Sequence, residues 1–139
     1  MRNAVLSAGV VLLMLLAVSG CTAPGESIEN DPVPTLRTIT ASEAILLTES
    51  GPTLTIIDVR RPDEYAAGHI PGAANIDISS SFADEVGNLD RDGSYLIYCA
   101  AGVRGESALK MMGDLGFTEV YNLGGGISAW QRAGGSVAR

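Results

Sequence analysis

Five short strand candidates separated by helical segments predict an α/β domain built on an open, mostly parallel sheet. Three observations carry that expectation. Leu54-Thr55-Ile56-Ile57-Asp58-Val59 is a nearly continuous β-branched run, the mark of a central strand covered on both faces. Tyr95-Leu96-Ile97-Tyr98 is a second apolar run, and a helical pattern follows it closely, with Ala108, Met111, Met112 and Leu115 on one face. Helix start and stop signals separate these runs from their neighbours.

The first 20 residues stand apart from that domain. Arg2 precedes an apolar stretch from Ala4 to Val18, then Ser19-Gly20-Cys21, the build of a secretory signal. Leu16-Ala17-Val18-Ser19-Gly20-Cys21 resembles the bacterial lipobox, which implies cleavage before Cys21 and acylation of its sulfur, palmitate included. The expected product is a lipoprotein of the bacterial cell envelope, held to a membrane by lipid on Cys21 with its domain on the extracytoplasmic side. An uncleaved anchor and a soluble secreted form are the alternatives, since the apolar stretch is close to spanning length. Residues 21–34 read as the lipidated N-terminus and a tether. Pro24, Pro32 and Pro34 stiffen it, it has little to bury, and fully extended it reaches on the order of 45 Å.

Residues 35–136 are expected to form the domain. Arg37-Thr38-Ile39 is a short strand candidate. Thr40 and Glu43 make a capping-box pair for a helix running to about Glu49, which Gly51-Pro52 stops. After the Leu54–Val59 strand, Pro62 suits a helix first turn, with a short helix over Asp63–Ala67 ending at Gly68. Asn75-Ile76-Asp77-Ile78 is another short strand, Ser81 to Val86 a helical turn, and Asp92-Gly93 turns the chain into the Tyr95–Tyr98 strand. The next helix ends at Gly116, Glu119–Asn122 is the last strand, and Ile127 to Ala133 the final helix. Ligands of such sheets sit beyond the carboxyl ends of the strands.

Cys99 stands at such an end. The residues after it, Ala100-Ala101-Gly102-Val103-Arg104, read as a short loop before the helix. A strand, a tight turn and a helix N-terminus surround one sulfur with backbone N–H groups and the positive end of a dipole, which favours the reactive thiolate. The chain has two cysteines. With Cys21 lipidated, Cys99 has no partner for a disulfide within the chain, and a metal site built on several thiolates is excluded. Nucleophilic sulfur chemistry is the expectation, without metal or cofactor. A buried cysteine serving as a small hydrophobe is the plain alternative.

Composition narrows the partners. The full chain carries nine basic and 16 acidic residues, a net charge of −7. Without Arg2 the mature form has eight against 16, a net charge of −8. No run of Lys or Arg offers phosphate neutralisation, so nucleic acid is not an expected partner. No hydrophobic face for association is evident, and a monomer is expected.

Three segments carry a family resemblance. Asp58-Val59-Arg60-Arg61-Pro62-Asp63-Glu64-Tyr65-Ala66-Ala67-Gly68-His69-Ile70-Pro71-Gly72-Ala73 resembles the first signature of rhodanese-like domains. Cys99 to Arg104 resembles their active-site loop. Gly116-Phe117, Val120-Tyr121-Asn122-Leu123 and Gly124-Gly125-Gly126-Ile127-Ser128-Ala129-Trp130 resemble their C-terminal segment. The match runs from about Leu36 to Gly134. It implies a three-layer α/β/α rhodanese-like fold with a five-stranded parallel sheet, and a sulfurtransferase whose catalytic Cys99 carries sulfane sulfur as a persulfide. The substrates would be a small sulfur donor, thiosulfate or a persulfide, and a thiol or cyanide acceptor. The amides of Ala100, Ala101, Gly102, Val103, Arg104 and Gly105 would cradle the anionic sulfur, Arg104 binding donor oxygens or bracing the loop. Asp58 and Arg60 would support the loop.

Two departures qualify this. Serine often follows the loop arginine in the family, and here the residue is Gly105. Ala100, Ala101 and Val103 are uncharged, so attraction for a dianion is modest and weak thiosulfate turnover is expected, with a neutral or thiol-derived persulfide as an alternative donor. His69 is expected to stabilise a turn, Asp63 and Glu64 to be first-turn helix acids, and Trp130, Tyr121, Met111 and Met112 to be core. The Gly124–Gly126 triplet lacks nucleotide-loop spacing and reads as a turn. Phosphatases of a related fold place five residues between cysteine and arginine. Four lie between Cys99 and Arg104, which favours smaller sulfur species. The remaining alternative is a non-catalytic module, either a docking domain or a redox sensor at Cys99.

Overall fold

The computed structural model describes residues 33–51 and 53–139, together with Gly20. The chain divides into two units, Met1–Asn30 and Asp31–Arg139. The signal segment, Cys21 and the tether up to residue 32 lie, Gly20 aside, outside the described residues.

The second unit alternates strand and helix from end to end. In order come β1 (Thr35–Ile39), α1 (Ala41–Ser50), β2 (Leu54–Asp58), α2 (Pro62–Ala67), β3 (Ala74–Asn75), α3 (Phe82–Val86), β4 (Ser94–Tyr98), α4 (Val103–Asp114), β5 (Glu119–Leu123) and α5 (Gly126–Arg132). The five strands form one sheet in the order β1-β5-β4-β2-β3, and every pairing is parallel. The Thr40 capping box closes as expected. Glu43 N donates to Thr40 Oγ1 at 3.2 Å, and Thr40 N donates to Glu43 Oε2 at 2.8 Å.

Strand periodicity sorts the core into two layers, because successive side chains point to opposite faces. Ile57, Val59, Tyr95, Ile97 and Val120 meet Phe82 and Val86 of α3 and Ala108 and Met112 of α4 on one face. Leu96, Tyr98, Leu123 and Ile39 meet Ala41 and Ala44 of α1 and Ile127 and Trp130 of α5 on the other. Helices therefore cover both faces, as the unbroken apolar runs of β2 and β4 require. Met112 and Trp130 are buried, whereas Met111 and Tyr121 pack against the two clusters from their margins.

Three details differ from the sequence reading. The strand expected over Asn75–Ile78 is confined to Ala74–Asn75. Its partner β2 ends at Asp58, so the ladder has nothing to continue along, and Ile76 N and Ile78 N bond the consecutive carbonyls of Asp58 and Val59 instead. The loop after Cys99 is shorter than expected: α4 begins at Val103 and takes Arg104 into its first turn. The chain also does not stop contributing at Ala133. His69 and Ala138 exchange two backbone hydrogen bonds, of 3.0 and 2.8 Å, and the Trp130 indole N–H donates to Ser136 O at 2.8 Å.

Candidate active site

Parallel pairing brings the carboxyl ends of the strands to one edge, and Cys99 is the first residue past the central β4. Cys99 is only 1% exposed. Its Sγ accepts a hydrogen bond from Gly102 N at 3.0 Å, so the chain curls back over the sulfur within three residues. Gly102 makes that curl with φ at 102°, a left-handed conformation that costs glycine no Cβ clash. A Cβ there would also lie 2.9 Å from Gly125 N. Gly102 O then accepts from Glu106 N, which starts α4. The amides of Val103, Arg104 and Gly105 occupy the first turn, where a helix leaves its N–H groups without internal partners. Ala100, Ala101 and Gly102 form the loop itself, and the Val103 side chain points to solvent, 73% exposed.

The loop rests on α5. Ile127 N donates to Cys99 O at 2.9 Å and Ser128 N to Ala100 O at 3.3 Å, so the N-terminal amides of α5 hold the two carbonyls that open the loop. Asn122 holds it from β5. The Asn122 side chain is fully buried and donates from Nδ2 to Thr38 Oγ1 at 3.1 Å and to Gly102 O at 3.4 Å. A Cβ on Gly105 would stand 2.0 Å from Asn122 Oδ1. Gly105, the departure from serine, is therefore the space into which the Asn122 carboxamide fits. That oxygen is buried without a hydrogen-bond partner.

Two carboxylate–guanidinium pairs flank the end of β4. Asp58, fully buried at the end of β2, accepts from Arg60 N at 2.9 Å and from the Arg60 guanidinium at 2.6 to 3.1 Å. Arg60 also donates to Gly68 O at 2.6 Å and lies over the Tyr98 ring. Asn75 Nδ2 ties the same turn through Asp58 O and Arg60 O. Arg104 does not reach outward. Its two terminal nitrogens donate to Glu64 Oε2 at 2.8 Å and Oε1 at 2.9 Å, a two-point clamp from α4 to α2. Glu64 thus does more than favour its helix dipole. The Arg104 hydrogen bonds hold its carboxyl near 2, below an ordinary 4.5. His69 stacks on Tyr65 with centroids 3.8 Å apart, and its Nδ1 lies 3.0 Å from Tyr65 O, a turn contact.

The clamp makes a pH-dependent contribution to stability. A carboxyl with a lowered folded value stabilises the fold above its unfolded value and loses that effect as pH falls through the folded one. Both partners are part-exposed, so the contribution is about 1 kcal/mol. Glu64→Gln is expected to be less stable than the parent by that amount at pH 7. The gap should close between about pH 4.5 and pH 2, read by urea unfolding across the range. A gap that stays constant to pH 2 would contradict it.

A cavity of about 510 Å³ lies among α2, α5 and the C-terminal tail, lined by Arg60, Glu64, Ile127, Gln131, Val137 and Arg139 among others. It touches the site through Glu64, clamped to Arg104, and through Ile127, bonded to Cys99 O. Among the described residues no group of three or more His, Cys, Asp or Glu side chains is placed to hold a metal ion. The structure gathers Cys99, the loop residues Ala100 to Gly105, Asp58 and Arg60 at one sheet edge. Cys21 lies outside the described residues.

The rhodanese-like domain family model matches residues 40–133, which include every element from α1 to α5. The chain belongs to the rhodanese-like domain family. Among curated relatives it is 36% identical over 95 residues to a protein of Pseudomonas entomophila named thiosulfate sulfurtransferase GlpE, covering 68% of this chain and 84% of that one. Among solved structures, the rhodanese-like domain of an Anabaena protein superposes with a TM-score of 0.67 at 29% identity, over 73% of this chain and 77% of that one. A Rhodopseudomonas palustris protein described as a possible tyrosine phosphatase gives a TM-score of 0.60 at 32% identity, over 76% and 85%. Asn122, which donates to Gly102 O, and Glu64, which pairs with Arg104, are the loop contacts that sequence reasoning missed. A lone asparagine inside the apolar Val120–Leu123 strand was the one available signal for the first.

Proposed function

We propose that this chain is a rhodanese-type sulfurtransferase of the bacterial cell envelope, anchored by lipid on Cys21 with its domain on the extracytoplasmic side. The observation that carries the catalytic part is the Cys99 sulfur held under its own loop by the Gly102 amide at 3.0 Å, at the N-terminus of α4. A backbone N–H donating to the sulfur at a helix N-terminus stabilises an anion there without a counter-charge that chemistry would consume. The relatives named thiosulfate sulfurtransferase support the same reading.

The reaction divides into two displacements at sulfur. The Cys99 thiolate attacks the outer sulfur of thiosulfate, forming Cys99–S–S⁻. The donor S–S bond breaks and sulfite leaves with the electron pair. A thiolate or cyanide then attacks the outer persulfide sulfur, and Cys99 leaves as the thiolate. Nothing in the cycle requires a side-chain base. Arg104 is committed to Glu64, so the donor is held without a free loop arginine.

The anchoring part rests on the Leu16–Cys21 segment. The test is intact mass of the full chain recovered in detergent, before and after thiosulfate or an organic persulfide. One added sulfur is expected, released by cyanide as thiocyanate. Sulfinic acid, which adds nearly the same mass, is not cyanide-labile. Labelled palmitate should enter the chain and be absent from Cys21→Ser. No cyanide-labile sulfur with any donor would reject the enzyme in favour of a sensing or docking module. Unlabelled chain would reject the anchor.

A further inference from the structure

The geometry points to Glu64 as a donor-selecting residue: by occupying both terminal nitrogens of Arg104, it neutralises the loop cation and disfavours dianionic sulfur donors. This rests on the sulfurtransferase reading and names what sets its substrate preference.

The argument begins with charge. Thiosulfate brings two negative charges to a thiolate that already carries one, so a site built for it needs an uncompensated cation. Two guanidiniums flank the strand end that bears Cys99, and each is already answered. Arg60 is bound by Asp58 through contacts of 2.6 to 3.1 Å and donates onward to Gly68 O. Arg104 is bound by Glu64 at 2.8 and 2.9 Å. Arg61, the next cation along the chain, is held by Asp63 at 3.0 Å.

The two flanking pairs differ in what they do. Asp58 is fully buried, and its oxygens organise the backbone turn at Arg60, so it is part of the framework. Glu64 is part-exposed, as Arg104 is, with side-chain exposures of 23% and 38%, and it lines a cavity with Arg60 and Ile127. Glu64 therefore occupies the hydrogen-bonding end of the one loop cation able to attract a donor. With the clamp closed, the loop contributes only the field of a neutral pair, Arg139 is the other cation of the cavity, and the acidic domain as a whole repels anions.

Thiosulfate and methanethiosulfonate separate charge from fit. Both transfer the same terminal sulfur to Cys99, releasing sulfite or methanesulfinate with the electron pair, but they carry two and one negative charges. A freed guanidinium acts on each in proportion to charge. If Glu64→Gln lowers the methanethiosulfonate KM about threefold, it should lower the thiosulfate KM about tenfold, the square of that factor. The test uses the full chain with cyanide as acceptor, and kcat is expected to change less than about twofold. Glutamine keeps an oxygen for Arg61 N, the other group Glu64 accepts from. Glu64→Asp, which keeps the charge, should leave the ratio of the two KM values near that of the parent. The proposal is overturned if Glu64→Gln raises both KM values, leaves both unchanged, or moves both by one common factor. A purely structural clamp would produce one of those three. Absence of cyanide-labile sulfur from either donor, in parent and variants alike, would instead overturn the sulfurtransferase reading and this proposal with it.

Discussion

Replacing Cys99 with serine is expected to abolish sulfur transfer, with a loss of at least about 10³-fold in kcat/KM for any donor. The reason is chemical rather than architectural. A serine hydroxyl stays protonated at neutral pH, attacks sulfane sulfur poorly, and would form no persulfide able to pass its sulfur on. The architecture should survive, because the Gly102 amide that donates to Sγ at 3.0 Å can donate to Oγ in the same place. A hydroxyl in this 1% exposed position then keeps a hydrogen bond, and the stability change should stay within about 1 kcal/mol. The decisive comparison pairs a thermal melt with thiocyanate production from the same sample. A folded Cys99→Ser protein that still makes thiocyanate would remove Cys99 from the mechanism. A variant that fails to fold would show that the sulfur serves packing, the plain alternative for a buried cysteine, and Cys99→Ala would then separate the two roles.

The fold was legible because its signals were local and redundant. The apolar runs of β2 and β4 demand cover on both faces, and the Thr40–Glu43 box and Pro62 mark where helices start. The position of Cys99 was legible for the same reason, since a strand end followed by glycine and a helical pattern is a short-range arrangement. What was not legible depends on long-range partners. Arg104 could be read as brace or donor contact, and only the approach of α2 to α4, 40 residues apart in sequence, commits it to Glu64. Gly105 looked like a missing hydroxyl until β5 placed Asn122 Oδ1 in the space above it. The shortening of β3 follows from where β2 stops pairing, which no pattern within Asn75–Ile78 encodes. The tail beyond Ala133 has no apolar periodicity, so its bridge to His69 left no mark on the sequence.

Gly126→Ala should be the most damaging single change outside the nucleophile. The glycine triplet after β5 reads as a turn in sequence, yet its third member is where α5 meets the active-site loop. Gly126 has φ of 59°, and a Cβ there would lie 2.3 Å from Cys99 O, 2.5 Å from Ala100 C and 2.6 Å from Ala100 O. These are backbone atoms of a loop already pinned by Ile127 N and Ser128 N, so no flexible side chain can swing aside. The left-handed conformation costs alanine about 1–2 kcal/mol and the steric overlap about 1–3 kcal/mol more, about 2–5 kcal/mol together. For a domain of this size that lowers Tm by roughly 10–30 °C. Gly134→Ala is the matched control: its φ is 93° and nothing lies within 4 Å of its Cβ position. It should show the conformational cost alone, with sulfur transfer unchanged. Where Gly126→Ala remains folded, relief of the overlap must push Cys99 O and Ala100 O away from the α5 amides, and the loop shifts with them. Persulfide formation should then fall further than the melt alone explains, by about tenfold or more at a temperature where the variant is fully folded. Equal behaviour of the two alanine variants, in melt and in turnover, would mean that α5 does not set the loop and that the close approach of Gly126 to Cys99 carries no functional weight.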